Sequence, residues 1–210
     1  MQQVFDKSHT VVLLHGIGRS AWCMVWLKWW LGWFGFDVLN ISYPSKKLDL
    51  NGCADFLHSK IKNYSMQSIS IVAHSMGGIV VRKYIEKYGE EKFRRIVMLG
   101  TPNQGSYIAY KLRKILYYIY GPAALELGDF EKIQALPTPR CEFAIIAGHT
   151  GFPFGFNPFL PGDNDFLVSI DETELQGAKQ ILKVHHLHAF LMNGRDSIQF
   201  IRNFLLTGKG

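Results

Sequence analysis

Residues 69–82 read Ile-Ser-Ile-Val-Ala-His-Ser-Met-Gly-Gly-Ile-Val-Val-Arg, an apolar strand-like run that breaks at Ser75 and resumes with helical spacing. The pattern small-x-Ser-x-Gly between a buried strand and a helix is that of a nucleophile elbow, here Ala73-His74-Ser75-Met76-Gly77. A turn this sharp strains the central residue, and a bulky side chain two positions away on either side would strike the neighbouring strand or the helix start. Ala73 stands where glycine is commoner, and the same steric limit tolerates it. What the turn provides is a serine hydroxyl exposed at a helix N-terminus, where amide hydrogens favour developing negative charge.

Serine is a poor nucleophile until a base takes its proton and a third group orients that base. The partners should follow the elbow in the order acid, then histidine, at the ends of later strands. Of the eight histidines, His9 and His58 lie in the wrong places. His15 and His74 belong to the glycine loop and the elbow, and His149 precedes the acidic segment. His185 and His186 sit at a strand end, which leaves His188 in the following loop as the base. For the acid, Gly162-Asp163-Asn164-Asp165-Phe166 supplies two carboxylates. Asp165 is preferred because it directly precedes an apolar segment, and Asp163 is the alternative. A calcium site on this pair lacks the six or more oxygens it would need. The three clustered histidines lack the partner pattern of a zinc site.

The elements that must position these groups alternate strand and helix. Apolar runs at 10–14, 37–41, 69–74, 95–99, 142–147 and 181–184 read as strands, with helices between them and a last helix over 197–206. That alternation predicts an α/β fold, a mostly parallel sheet of about six strands covered by helices on both faces. The 210 residues and a composition of 48% hydrophobic and 19% charged suit one globular domain spanning 1–210. Residues 106–138 are expected to form a short helical insertion. There Ile108, Leu112, Ile115, Leu116 and Ile119 make an apolar stripe, with Lys111, Arg113, Lys114 and five tyrosines beside it. Such a helix suits a lid or a lipid-surface contact, or equally a helix packed on the domain with a wet basic edge.

Two aromatic stretches stand out. Residues 21–36 carry all five tryptophans at helical spacing but are too short for the roughly 20 residues that span a bilayer. A core helix is the expectation, with surface binding as the alternative. Phe152, Phe154, Phe156 and Phe159 share one Gly/Pro-rich loop and are expected to plug the core or line an apolar pocket. The formal charge of +6 is dispersed, without a basic block, which argues against nucleic acid. Cys23, Cys53 and Cys141 lack metal-ligand spacing and read as buried free thiols, favouring a cytoplasmic setting. The first eight residues show no basic-then-apolar signal pattern.

Taken together, His15-Gly16-Ile17-Gly18, Tyr43-Pro44-Ser45, the elbow through Gly78, Gly100-Thr101-Pro102-Asn103-Gln104-Gly105-Ser106, Asn164-Asp165 and His188-Ala189-Phe190-Leu191-Met192-Asn193 run across nearly the whole chain. In these segments and their order the chain resembles compact α/β-hydrolases of the bacterial lipase and esterase group. The one departure is Phe166, where the family often has glycine. The resemblance implies an oxyanion hole from the amides of Ile17 and Met76, no cofactor, and hydrolysis of a carboxylic ester. The phenylalanine loop and the tyrosine-rich segment point to an apolar or lipid-like part of that ester. A small-molecule or lipid ester and a transient lipid surface are the expected partners. Acyl transfer, thioester hydrolysis and a silent binding module share the same framework as alternatives.

Overall fold

The computed structural model describes residues 9–210. Among the described residues, six strands form one parallel sheet: β1 (Thr10–Leu14), β2 (Asp37–Ile41), β3 (Ile69–His74), β4 (Phe93–Leu99), β5 (Glu142–Gly148) and β6 (Gln180–Val184), in the order β2-β1-β3-β4-β5-β6. Every residue of β1 and β3 is buried, as their unbroken apolar runs require of central strands. The reading of the first eight residues as lacking a signal pattern lies outside the described residues.

Two packed layers enclose the sheet. On one side α1 (Val25–Trp33) and α9 (Arg195–Thr207) cover it. Leu27, Leu31, Ile201 and Phe204 meet Val11, Leu13 and Val97 there. On the other side lie α2 (Leu50–Ile61) and α3 (Met76–Tyr88), with Leu57, Ile61, Ile79 and Tyr84 against Val12, Leu14 and Ile71. Asp49 begins α2 by accepting from the Gly52 amide at 2.7 Å.

The direction of sheet order reverses at β1, which has β2 on one side and β3 on the other. Parallel α/β sheets open their binding crevice at the carboxyl ends beside such a point. The register Leu14↔Ala73 brings the residues after β1 alongside the elbow after β3. A would-be Cβ on Gly16 would lie 3.0 Å from Ser75 Cβ, so glycine there allows the two loops to touch.

Between β4 and β5 the chain forms four short helices: α4 (Tyr107–Lys111), α5 (Arg113–Tyr120), α6 (Pro122–Leu127) and α7 (Phe130–Ala135). The apolar stripe expected over one helix is divided at Leu112, whose φ −104, ψ 17 leaves the helical region. A further short helix, α8 (Ile170–Thr173), starts in a capping box between Ser169 and Glu172 that the apolar pattern did not reveal.

Three expectations are corrected. The 21–33 segment, a 3-10 turn (Ala21–Met24) followed by α1, does pack on the sheet, but through Met24, Leu27 and Leu31. Trp22, Trp26, Trp29 and Trp33 face outward, and Trp30 is half-buried. Periodicity identifies a face without saying which way it turns, and the slimmer aliphatic side chains fit the closer approach to the sheet. Phe152, Phe154 and Phe159 are exposed rather than plugging a core. All three cysteines are free, but only Cys53 is fully buried.

Candidate functional site

The elbow has the strain its sequence implies. Ser75 adopts φ 55, ψ −127, a positive φ that an L-residue takes only under constraint. The constraint is visible on both sides. The Ser75 amide donates to Leu99 O at 2.8 Å, and Ser75 O accepts from the Gly78 amide at 3.0 Å and Thr101 Oγ1 at 3.1 Å. A Cβ on Gly77 would come within 2.9 Å of Leu14 O, and one on Gly78 would collide with Thr101 Oγ1. The glycines of the motif thus let the helix start directly against β1 and the loop after β4.

The His-Gly loop is tied down by the segment after β2. His15 Nδ1 donates to Gly16 O at 2.8 Å, and its Nε2 accepts from the Tyr43 amide at 3.2 Å. Tyr43 Oη donates to His15 O at 2.6 Å while the two rings stack 4.3 Å apart. Ser45 Oγ accepts from the Gly18 amide at 3.1 Å. These contacts hold the loop that carries Ile17, which lines the same cavity as Ser75. Burial holds the His15 pKa below its ordinary value, so the imidazole remains neutral and can accept from Tyr43.

His188, in a 3-10 turn after β6, meets Asp165, in the loop after β5, through Nδ1 and Oδ2 at 2.7 Å. A carboxylate only accepts, so Nδ1 carries a proton. The contact is doubled by the His188 amide donating to Asp165 O at 2.8 Å. Asp165 is fully buried, and its other oxygen accepts from the amides of Leu167 and Val168 at 3.1 and 2.8 Å. Gly100, at φ 54, leaves room for the ring, since a Cβ there would sit 2.9 Å from His188 Nδ1.

Asp163, the alternative acid, is engaged elsewhere. It accepts from the Thr150 amide and hydroxyl and from the Gly151 amide at 2.8 to 2.9 Å, and lies 3.6 Å from His149. Burial acts to raise its pKa, but these hydrogen bonds outweigh it and the net shift is downward. Asp163 closes the 150–163 loop, and Asp165 is the residue beside His188.

Ser75, His188, Ile17 and Gly18 line one cavity of about 560 Å³ at the carboxyl end of the sheet. Its remaining walls are mostly apolar: Ile108, Leu112, Leu116, Tyr120 and Leu127 from the helical insertion, and Phe166, Leu167 and Val168 from the acid loop. The insertion rests on the His-Gly loop, for the Tyr120 ring occupies the space a side chain on Gly18 would take, with Lys46 5.3 Å from that ring. It is also pinned electrostatically. Glu126 accepts from the Leu50 amide at 2.7 Å, and the buried Glu172 accepts from the Tyr107 amide at 2.5 Å.

Sequence reasoning missed two contributors here. Phe166 takes φ 92, the conformation that suits glycine, and lines the cavity. Its signal was the bulky residue at a position where the related pattern has glycine. His74 was set aside as part of the elbow, yet its Nε2 donates to His188 O at 2.9 Å. Only the pairing of distant loops brings that contact about.

A family model described as the PGAP1-like alpha/beta domain matches residues 48–119, from the start of α2 through the elbow into α5. No curated protein sequence matches the chain. Several solved structures do match in fold. The mature Bacillus licheniformis lipase BlEst2 superposes with a TM-score of 0.79 at 18% identity, over 98% of this chain and 95% of that chain. The methylesterase MES16 from Arabidopsis gives 0.63 at 14% identity, over 94% of this chain and 98% of that chain. The Listeria innocua lin2722 product gives 0.65 at 16% identity, over 97% and 96%. With its six-stranded parallel sheet, its helical layers and the elbow at the switch point, the chain has the α/β-hydrolase fold, in the compact form of the bacterial lipase.

Proposed function

We propose that this chain, as one catalytic domain, is a serine hydrolase that cleaves carboxylic esters with an apolar, lipid-like part. The observation that carries this reading is that His188, hydrogen-bonded to the buried Asp165, lines the same mostly apolar cavity as a Ser75 held at positive φ.

In the proposed reaction His188 Nε2 takes the Ser75 hydroxyl proton as Oγ attacks the ester carbonyl. The amides of Ile17 and Met76 hold the resulting oxyanion. Met76 begins α3, so its amide carries the partial positive charge of a helix N-terminus. Collapse breaks the bond to the alcohol oxygen, which leaves with the proton from His188, and Ser75 keeps the acyl group. Water, deprotonated by His188, then releases the acid and restores Ser75. Asp165 holds the ring's Nδ1 proton and stabilises the imidazolium at each stage. Two amide donors of this kind are worth about 3 kcal/mol each in the transition state. These steps require no cofactor.

The apolar preference rests on the walls supplied by α4, α5 and α6 and by Phe166. Residues 106–138 serve in this reading as a lid over the cavity. Acyl transfer to another acceptor and thioester hydrolysis share the path to the acyl-enzyme and differ in the leaving group or the second nucleophile.

A fluorophosphonate probe should label the folded protein and fail on Ser75→Ala. Hydrolysis of p-nitrophenyl esters should rise with acyl length to a maximum above acetate. Absence of labelling in folded protein would leave a binding module. Indifference to chain length would sink the lipid-like preference, and faster turnover of acyl-thioesters would select thioester hydrolysis.

A further inference from the structure

The 21–33 segment turns its largest apolar side chains to solvent. Trp22, Trp26, Trp29 and Trp33, at alternating four- and three-residue spacing, are 83, 50, 54 and 69% exposed, and Val25 is 41% exposed beside them. They form a stripe about 16 Å long at the helical rise. The rings support one another, with Trp26 stacked on Trp29 at 5.6 Å and Trp30 edge-on to Trp26, Trp29 and Trp33. An exposed apolar face of this kind marks an interaction site.

The polar surroundings indicate the occupant. No carboxylate occurs in residues 17–36, while Arg19 and Lys28 do. Along the edge toward α9 runs a cleft of about 510 Å³, floored by Trp26, Trp30, Phe34 and Ile198 and rimmed by Arg195 and Arg202. The Arg202 guanidinium lies 5.0 Å from the Phe34 ring centre, and among the described residues its buried Nε has no hydrogen-bond partner. Asp196 adjoins Arg195 in sequence, and Asp37, which follows the segment, accepts from Thr10 Oγ1.

We propose that this tryptophan face, with the Arg195–Arg202 cleft at its edge, docks the protein on the surface of an anionic lipid bilayer. Indole rings favour the headgroup level, apolar in body and polar at the N–H. Thirteen residues of helix lie in that plane and cannot cross it. Cations at the rim suit lipid phosphates. A second copy of the chain fits less well, because a twofold contact would bring together two faces that each carry Lys28, Arg195 and Arg202. Trp22 follows Arg19, which lines the Ser75 cavity, by three positions.

The inference does not depend on ester hydrolysis and is tested on the Ser75→Ala protein. Phosphatidylcholine vesicles with and without phosphatidylglycerol are sedimented with the protein at low and high salt. Binding is expected to the anionic vesicles, weaker at high salt, with tryptophan emission quenched by brominated acyl chains. Trp22→Ala/Trp29→Ala should weaken partitioning by about tenfold or more, from the apolar area withdrawn. Arg195→Ala/Arg202→Ala should remove most of the anionic preference, with thermal unfolding of both variants unchanged. Failure to bind anionic vesicles overturns the proposal, and so does binding that both double variants retain. A dimer in analytical ultracentrifugation that Trp22→Ala/Trp29→Ala dissolves, without vesicle binding, assigns the face to a second copy instead.

Discussion

His74 Nε2 donates to the main-chain carbonyl of His188 at 2.9 Å, with the two rings 4.7 Å apart. The residue before the candidate nucleophile thus holds the backbone of the candidate base. Since a carbonyl only accepts, Nε2 carries the proton; Nδ1 is buried, has no hydrogen-bond partner among the described residues, and faces Gly16. Burial, then the charge of neighbouring His188, keeps the His74 pKa well below the usual 6.5. A neutral His74 places no second positive charge beside His188 when that ring takes a proton.

Stability should fall on mild acidification. His74 and His15 both have folded-state pKa values depressed below 6.5, so their contribution is complete above about pH 6.5 and is lost as pH falls through the folded values. Each contributes a slope of up to about 1.4 kcal/mol per pH unit in that window. Urea unfolding followed from pH 7.5 to 5 measures it, and His74→Gln should flatten the curve by one proton's worth. An unchanged slope in that variant would place the proton uptake elsewhere.

The two aspartates should separate cleanly. Asp165→Asn is expected to lower kcat by about three to four orders of magnitude, since the ring loses its orienting carboxylate. Asp163→Asn should instead loosen the 150–163 loop, costing about 1–3 kcal/mol of stability, with kcat within about tenfold of the parent. Paired kinetics and thermal melts of the two variants check this, and a larger kcat loss at Asp163 would reverse the assignment.

Phe166→Gly should stabilise the fold while harming substrate binding. Removing a non-glycine residue from φ 92 relieves about 1 kcal/mol of backbone strain. Losing the ring opens the apolar wall of the cavity. A higher Tm is therefore expected together with a raised KM for long-chain esters and little change for acetate. A lowered Tm would show that ring packing outweighs the strain.

Gly77→Ala should damage both folding and chemistry. Its Cβ would come within 2.9 Å of Leu14 O and 3.0 Å of His15 O, backbone atoms that can yield only by moving β1 or α3. The cost is expected at about 1–3 kcal/mol, and the displaced Met76 amide should lower kcat more than it raises KM. Calorimetry and steady-state kinetics on one preparation test both parts.

Much of this protein is legible in its residues alone. Buried parallel strands must be continuous apolar runs, so residues 10–14 and 69–74 announced themselves and the elbow followed from the strand's end at His74. Ser75, Asp165 and His188 could be chosen because each falls after a strand, where a parallel sheet collects its loops at one edge. Tertiary structure decided what local pattern does not encode. The sequence preferred Asp165 over Asp163 without showing a contact, and the hydrogen bond joining Asp165 to a ring 23 residues away depends on how the two loops meet. The outward turn of the tryptophans came from Leu27 and Leu31 fitting the sheet, and the break at Leu112 from an insertion that folds back on the His-Gly loop. Spacing defines a face, but only packing against distant elements sets which face is inside.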